Sequence, residues 1–354
     1  SQAKAEHAAK VAFARELASA AIANLDVDPE LSILLAIEAV SQTYAMDQTA
    51  LPEAEDALHR AVGASRVQLT FPCDPTWWTR LAFSPDGTRL ASDLLGGKRI
   101  WDTATGKELF TVPLENTAGL DIVFSPDGTR VTTADFNKNG EMIIKAWDIL
   151  SGQQVLTTPL SANINDLRWE ALNPDGRLYA TALSDNIVRV WDTATGQLLH
   201  TLSGHTAQIT NIAFNRNGTQ IVTGSNDNTA KIWDVGSSQL LRTLSGQRGV
   251  VLSAAFSPDG TRIATTNGDF TATVWDAATG QELRTLFGHT NDVTAVQFSP
   301  DGKRLATVSW DRKGIVWEVE TGQQLFTLSG HTGAVFNLAF SPDGTRLATS
   351  STDG

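Results

Sequence analysis

The stretch "ITNIAFNRNGTQIVTGSNDNTAKIWD", residues 209–234, decides the fold. Its first piece, ITNIAF, alternates apolar and polar side chains as a half-buried strand does. NRNG follows as a turn, TQIVTGS as a second strand, NDN as a second turn and TAKIWD as a third strand; QLLRTL lies beyond as a fourth. The Trp-Asp pair that ends the third piece recurs at Trp101, Trp147, Trp191, Trp233 and Trp275, and at Trp317 the partner is Glu318. The spacings are 46, 44, 42, 42 and 42 residues. Four short antiparallel strands per unit of this length make a β-propeller blade, and since one blade cannot bury both faces, several must pack in a ring. The first turn elsewhere reads SPDG or NPDG, with Pro suited to the second position of a type I turn and Gly to the fourth.

The bulk numbers agree with a globular chain. Of 354 residues, 41% are hydrophobic and 19% charged. The best apolar stretch, LSILLAIEAV, is broken by Glu38 and falls well short of the roughly 20 apolar residues of a membrane span. The net charge of −12 splits into −6 over residues 1–65 (4 Lys/Arg against 10 Asp/Glu) and −6 over the rest (23 against 29). A basic face for a phosphate backbone is missing, which argues against a nucleic-acid partner. The single cysteine, Cys73, cannot form an internal disulfide or a thiolate metal site, which fits a reducing, cytoplasmic setting.

First-strand phrases number seven, ending near Phe83, Phe124, Trp169, Phe214, Phe256, Phe298 and Phe340. Gly-His-Thr at Gly204, Gly288 and Gly330, the Asp six residues before the Trp (Asp227, Asp311) and the Trp-Asp pairs together resemble the WD-repeat family over residues 65–354. The resemblance implies an all-β seven-bladed propeller. Residues 66–71 align with a fourth strand that has no blade before it, and in that family such a strand closes the ring on the last blade. The last blade shows two strands within 335–350, so its third strand is expected beyond Gly354.

Residues 1–64 lack the period. EHAAKVAFARELASAAIANL places Val11, Ala14, Ala18, Ile22 and Leu25 on one helical face. DPELSILLAIEAVSQ opens with an Asp28 cap and Pro29 and is apolar nearly all round, so it is expected to be buried; PEAEDALHRAVG is a third helix, opened by Pro52 and stopped by Gly63. This three-helix segment resembles the one preceding the propeller in bacterial STAND-class signalling ATPases. That resemblance implies an ATPase or signalling module upstream.

No nucleophile elbow, phosphate-binding glycine loop or His-Glu-x-x-His motif occurs, so no catalytic residue and no cofactor site is assigned. The WD-repeat resemblance implies structural tetrads instead, in which His bonds a second-strand hydroxyl, Asp follows and Trp completes the network. His205, Ser225, Asp227 and Trp233 fill the places, as do His289, Ser309, Asp311 and Trp317; His331, Ser351 and Asp353 fill three. A slot repeated around a ring reads as structural rather than as a catalytic triad. Blades with Gln247 for His, Asn267 or Leu183 for Ser, or Asp74 and Leu95 at the His and Asp places are expected to rely on packing alone. DFNKNG sets Asp135, Asn137, Asn139 and Gly140 at calcium-loop spacing, but Ala146 stands where a bidentate Glu is needed.

Three tryptophans lie outside the repeat slots. Trp78 matches the apolar residue that begins a first strand, whereas Trp77 and Trp310 fall in loops of one rim. Phe270 occupies the corresponding turn of blade five, Phe336 follows Val335 at a strand start, and Arg248 and Asp292 add charge. Aromatics with a polar surround are the composition of an interface centre. The expected function is therefore a non-catalytic protein-interaction scaffold or sensor, binding a protein or peptide at Trp77, Arg248, Phe270, Asp292, Trp310 and Phe336. A propeller hydrolase with carboxylates in the central channel and a calcium-dependent adhesive propeller are the alternatives.

Overall fold

The computed structural model describes residues 2–25, 32, 35–42, 51–64, 69–71, 80–94, 97–113, 121–163 and 167–353. Trp77, Trp78, Cys73, Asp74 and Leu95, and residues 66–68 of the expected closing strand, lie outside them. The chain divides into two compact units, residues 1–70 with 328–330, and 71–327 with 331–354.

The first unit is helical: α1 (Gln2–Ala23), α2 (residues 35–42) and α3 (Pro52–Ala64). Its core is built largely from alanine. Ala14, Ala18, Ala21, Ala36, Ala39, Ala54 and Ala57 are buried, and Leu17, Leu35 and Leu58 pack around them. Small side chains let helix backbones approach closely, so a narrow stripe suffices for burial. The all-round burial expected of the second helix does not hold, since Ile37 is 49% exposed. No described helix is long and apolar enough to cross a membrane.

The second unit contains six four-stranded antiparallel sheets at residues 81–113, 122–163, 167–202, 209–244, 251–286 and 293–328, called blades one to six, and a two-stranded sheet at 335–351. Strand order in each blade follows the chain. First strands of neighbouring sheets pack on one another, so they line the centre of the propeller. Blade four is the pattern: Ile209–Phe214, Gln220–Ser225, Ala230–Asp234 and Leu240–Leu244. Ile221 sits opposite both Phe214 and Trp233, placing three large apolar side chains at one level of the sheet. Trp233 and Trp275 are 1% and 2% exposed. At Gly288 an added Cβ would stand 2.8 Å from the Trp317 ring, so only glycine lets the chain cross that indole.

The SPDG turns owe their shape to local bonds. Gly87 N donates to Ser84 O at 2.8 Å, closing the turn, and Gly87 takes φ 70°, a glycine conformation. Asp86 Oδ1 accepts from Ser84 Oγ at 2.6 Å and Thr88 N at 3.0 Å. The same Ser–Asp bond recurs at Ser125, Ser257, Ser299 and Ser341.

An arginine following such turns ties sheet to sheet. Arg89 Nη1 donates to Gly128 O at 3.1 Å and Arg304 Nη2 to Gly344 O at 2.7 Å, each reaching the next sheet. Arg346, on the two-stranded sheet, donates through Nη2 to Gly87 O of blade one at 2.7 Å and lies over the Phe83 ring. The last sheet is therefore joined to the first by the bond that joins consecutive sheets. Residues 69–71 carry no strand pairing among the described residues, although Phe71 lies 5.5 Å from the Trp101 ring.

First-strand alignment needs one correction. In blade three the residue opposite Tyr179, and through it Trp191, is Leu172, whereas Trp169 pairs with Ala182 one pleat and a half earlier. Leu172 thus holds the slot of Phe214, and Trp169 is half-buried beneath Arg80.

Arg346→Ala is expected to destabilise the propeller by about 1.5–3 kcal/mol, the range for hydrogen bonds made by a charged group. Urea unfolding of Arg346→Ala and Arg304→Ala should give similar losses; a harmless Arg346→Ala would mean that this junction carries no load.

Candidate functional site

In blade four His205 Nε2 lies 2.6 Å from Thr223 Oγ1 and His205 Nδ1 lies 2.7 Å from Asp227 Oδ2. Trp233 Nε1 donates to the same Thr223 Oγ1 at 2.9 Å. A carboxylate only accepts, so Nδ1 carries the proton; Nε2 then accepts from Thr223, whose oxygen accepts from the indole. The chain of donors runs Trp233, Thr223, His205, Asp227. Blade six repeats it with Trp317, Thr307, His289 and Asp311 at 2.9, 2.8 and 2.9 Å. In the last sheet His331 meets Thr349 at 2.9 Å and Asp353 at 3.1 Å.

The hydroxyl in these networks is thus a threonine, not Ser225, Ser309 or Ser351. Each serine stands two residues further along the second strand, about 7 Å nearer the turn. Ser225 Oγ instead donates to Ala207 O and Gln208 O and accepts from Asp227 N. Ser309 and Ser351 receive the corresponding amide of Asp311 and Asp353. A signal was available: Thr181, Thr223, Thr265 and Thr307 each precede a Trp by ten residues.

Blades that depart from the His-Asp pattern keep the inner bond. Trp101 Nε1 donates to Ser92 Oγ, Trp191 to Thr181 and Trp275 to Thr265, all at 2.9 Å. Gln247 stands in for histidine in blade five, accepting from Thr265 Oγ1 at 3.2 Å. Blades one, three and five therefore do not rest on packing alone. Blade two differs: Thr133 Oγ1 and Trp147 Nε1 hold the same register as the bonded pairs, yet both are buried without a hydrogen-bond partner among the described residues.

Burial pulls the His205 imidazole below its ordinary value of 6.5, against the opposing pull of Asp227. For Asp227 burial acts upward, but hydrogen bonds from Thr229, His205 and Thr206 N outweigh it and hold the carboxyl below the usual range. Asp311 behaves alike, with His289 and Thr290 N as the bonds that prevail over burial. Thr223 has no exposed surface and spends its oxygen on an indole, so this Thr-His-Asp set cannot present a nucleophile to a substrate.

The centre of the propeller holds a second buried network. Arg80 Nη2 donates to Glu170 Oε1 at 2.9 Å and Arg80 lies 4.7 Å over the Trp169 ring. Asp121 accepts from Leu172 N at 2.8 Å and Ile122 N at 3.0 Å, linking blade two to blade three. Burial raises the Glu170 carboxyl, and Asp121 adds to the rise while Arg80 opposes it. Two carboxylates thus face one region, but one is bound to arginine and the other to backbone amides.

The stretch at calcium-loop spacing is likewise committed. Asp135 is fully buried and pairs with Lys145 at 3.3 Å. Asn137 Oδ1 accepts from Asn139 N at 2.9 Å and Glu141 N at 3.0 Å, the bonds of a capped hairpin turn. Among the described residues no group of three or more His, Cys, Asp or Glu is placed to hold a metal.

The rim of second turns and entering loops is the exposed counterpart. Trp310 is 40% exposed and its ring centroid lies 6.2 Å from that of half-buried Phe336, at 58°. Asp292 O accepts from Trp310 N at 3.0 Å, so these three residues of the prediction come together. Phe270 is 41% exposed and Arg248 is exposed, but neither touches that group. Phe270 takes φ 69°, a slot filled by Asn186, Asn228 and Arg312 in neighbouring blades. A bulky aromatic there is an outlier that the turn does not call for.

The profile of the "WD domain, G-beta repeat" matches residues 196–234, 238–276, 280–318 and 322–354, and that of the "Anaphase-promoting complex subunit 4 WD40 domain" matches 136–214. The first three of the WD-domain matches each straddle two blades, taking the fourth strand of one and the first three of the next, and the match at 322–354 takes the fourth strand of blade six and the two strands of the last sheet. Among similar proteins is the "Periodic tryptophan protein 2 homolog" of Dictyostelium discoideum, 28% identical over 136 residues, 38% of this chain and 14% of that protein. The "Dynein assembly factor with WD repeat domains 1" of Mus musculus is 46% identical over 55 residues, 16% of this chain and 13% of that protein. "Autophagy-related protein 16" of Arabidopsis thaliana is 31% identical over 74 residues, 21% of this chain and 14% of that protein. The matched stretches thus span about a seventh of those relatives' lengths.

Thr223→Val, which keeps the shape and removes the hydroxyl, strands His205 Nε2 and the Trp233 indole in a dry site. It is expected to destabilise by about 2–6 kcal/mol on denaturant unfolding, one to three for each of the two orphaned groups; a cost near zero would remove Thr223 from the network. Acid should destabilise on balance, although the raised Glu170 carboxyl, which the folded state protonates first, opposes the loss. The unfolded chain takes up the His205 proton first, so stability begins to fall as pH drops below about 6.5. Asp227 adds a loss below 3.8 for the same reason. The exposed turn carboxylates Asp127 and Asp343, each held at about 2 chiefly by the hydrogen bond from Ser125 or Ser341, extend it. Melting temperature measured from pH 8 to pH 3 checks this; a wild-type curve rising on acidification would contradict it.

Proposed function

From the chain being a WD-repeat β-propeller, we infer that it works as a non-catalytic scaffold whose protein or peptide partner docks on the rim at Trp310. The carrying observation is the exposed Trp310 ring set against Phe336, in a turn whose counterparts in blades four and five are Asn226 and Gly268. A large aromatic left half in water, with no core to fill, is the common anchor of a protein interface. Phe270 extends the reading to blade five: it tolerates a backbone conformation that disfavours it, at a site where only an outward task explains the residue. Arg248 is assigned to the same docking face by its place in the repeat, as is Trp77 on its sequence position alone, outside the described residues.

The ring is read as seven-bladed, with residues 335–351 the first half of the seventh. The Arg346 bond to Gly87 and the packing of that sheet on blade one support this. Trp-less but otherwise complete, the His331–Thr349–Asp353 set is the tetrad that blade would carry. Scaffolding is also consistent with the printed name of one relative, an assembly factor. The finer setting, a sensor end of a larger cytoplasmic signalling protein with an ATPase upstream, rests on the likeness of the helical segment alone.

Trp310→Ala is expected to leave the melting temperature within about 2 °C, as a surface change does, and to lower partner affinity by about 2 kcal/mol or more. The check is a melting curve alongside quantitative capture from an extract of the source cells, with captured proteins identified by mass spectrometry. A large fall in melting temperature would make Trp310 a core residue, and unchanged capture would place the partner elsewhere.

A further inference from the structure

The repeat supplies its own comparison at the rim. In four successive sheets the same backbone bridge joins the second turn to the residue before the first strand: Asn226 N to Gln208 O, Gly268 N to Val250 O, Trp310 N to Asp292 O and Thr352 N to Ala334 O, at 2.9 to 3.1 Å. The frame is constant, so what differs is the side-chain pair it presents. Asn/Gln, Gly/Val and Thr/Ala are neutral and small or flexible. Blade six alone presents Trp with Asp, and Phe336 from the next sheet completes the group.

Asp292 is half-buried, and its carboxylate meets no hydrogen-bond donor or cation among the described residues. Only its amide is engaged, donating to Asn291 Oδ1 at 2.9 Å. Its situation differs from that of the second-turn acids Asp227, Asp311 and Asp353, each of which caps a turn and binds histidine, and of Asp185 and Asp269, which accept from Arg189 and Thr271. Burial without a countercharge pushes the Asp292 carboxyl above its ordinary value. A carboxylate held part way out of water, on a residue whose backbone is bonded to that of Trp310, has an unfilled demand for positive charge.

We propose that this corner of the rim binds the cationic side chain of a Lys or Arg in a basic segment of a partner protein, with Asp292 as the counter-ion and the Trp310–Phe336 pair as the aromatic wall. The proposal rests on the rim being the docking face and adds the chemistry of the partner. An aromatic pair alone would accept any apolar side chain; the unpaired acid beside it selects a cation. A phosphate or carboxylate would be repelled. The net charge of −12 favours the approach of a basic partner over longer distance.

The test uses the full chain and short mixed-sequence peptide libraries fixed at the central position as Lys, Arg, norleucine or Glu, with affinity read by fluorescence anisotropy. Lys and Arg libraries should bind about tenfold more tightly than norleucine, as a charge-assisted contact contributes. Asp292→Asn should erase that preference without lowering the melting temperature. Glu16→Gln, which removes one charge from the helical unit, should leave it intact. Equal binding of Lys and norleucine, a preference that survives Asp292→Asn, or no binding of the Lys and Arg libraries overturns the proposal. Trp310→Ala separates the two readings. If it weakens every library while Lys shows no advantage, the rim is the docking face but not a cation site. If it changes nothing, the docking face itself is misplaced.

Discussion

A buried hydroxyl accepting the indole N–H of the tryptophan on the adjoining strand, present in five of the six four-stranded blades, is the interaction on which the propeller depends. It recurs at 2.9 Å from Ser92 to Thr307 in five blades. The indole is the largest side chain between blades, and its N–H cannot be left dry without cost. Fixing that one polar atom therefore fixes how the ring sits, and with it the apolar contact of each blade with its neighbour. In blade four Trp233 packs with Val188, Val190 and Leu202 of blade three, so an intrablade bond orients an interblade core. Histidine and aspartate extend the chain of donors where present, but blades one and three hold the bond without them.

A second constraint works at the opposite rim. The SPDG turns place a glycine carbonyl where an arginine of the previous sheet can reach it, and Arg89, Arg304 and Arg346 do so. Arg262 instead pairs with Glu320 at 2.8 Å, the exposed acid of blade six. Turn bonds and arginine bonds occupy this rim, whereas the rim of second turns is only partly so occupied. Sequence variation can accumulate there at little cost to the core, which is why the unrepeated residues Trp310, Phe270 and Asp292 concentrate there.

The period, the four-stranded blade and the helical prologue were legible because each follows from spacing that backbone geometry imposes. The Trp slot was legible for the same reason. The hydroxyl was less plain, since Thr223 and Ser225 share one face of a strand and alternation cannot rank them; the ten-residue spacing from threonine to tryptophan does, in agreement with the reach of the indole. Trp169 was misplaced because an aromatic near the right position looked like the repeat, although Leu172, directly before its NPDG turn as Phe83 is before SPDG, held the slot. Arg80, Asp121 and Glu170 lie far apart in the chain and belong to no repeat, so nothing local could join them. The rim aromatics were found by the reverse logic, as residues the repeat leaves unexplained, and Trp310, Phe336 and Asp292 do meet. Phe270 and Arg248 stand apart because rim position alone does not set contact.

The structural role of the indole bond is tested most directly by hydrogen exchange at the tryptophan side chains. In a sample with indole nitrogens isotopically labelled, the Nε1 protons of Trp101, Trp191, Trp233, Trp275 and Trp317 should exchange only through large-scale opening and thus be strongly protected. Trp147, equally buried but without a partner in blade two, should exchange faster than all five. If Trp147 is as well protected as the others, or the bonded five exchange as rapidly as an exposed indole, the hydroxyl bond is not what holds the blades.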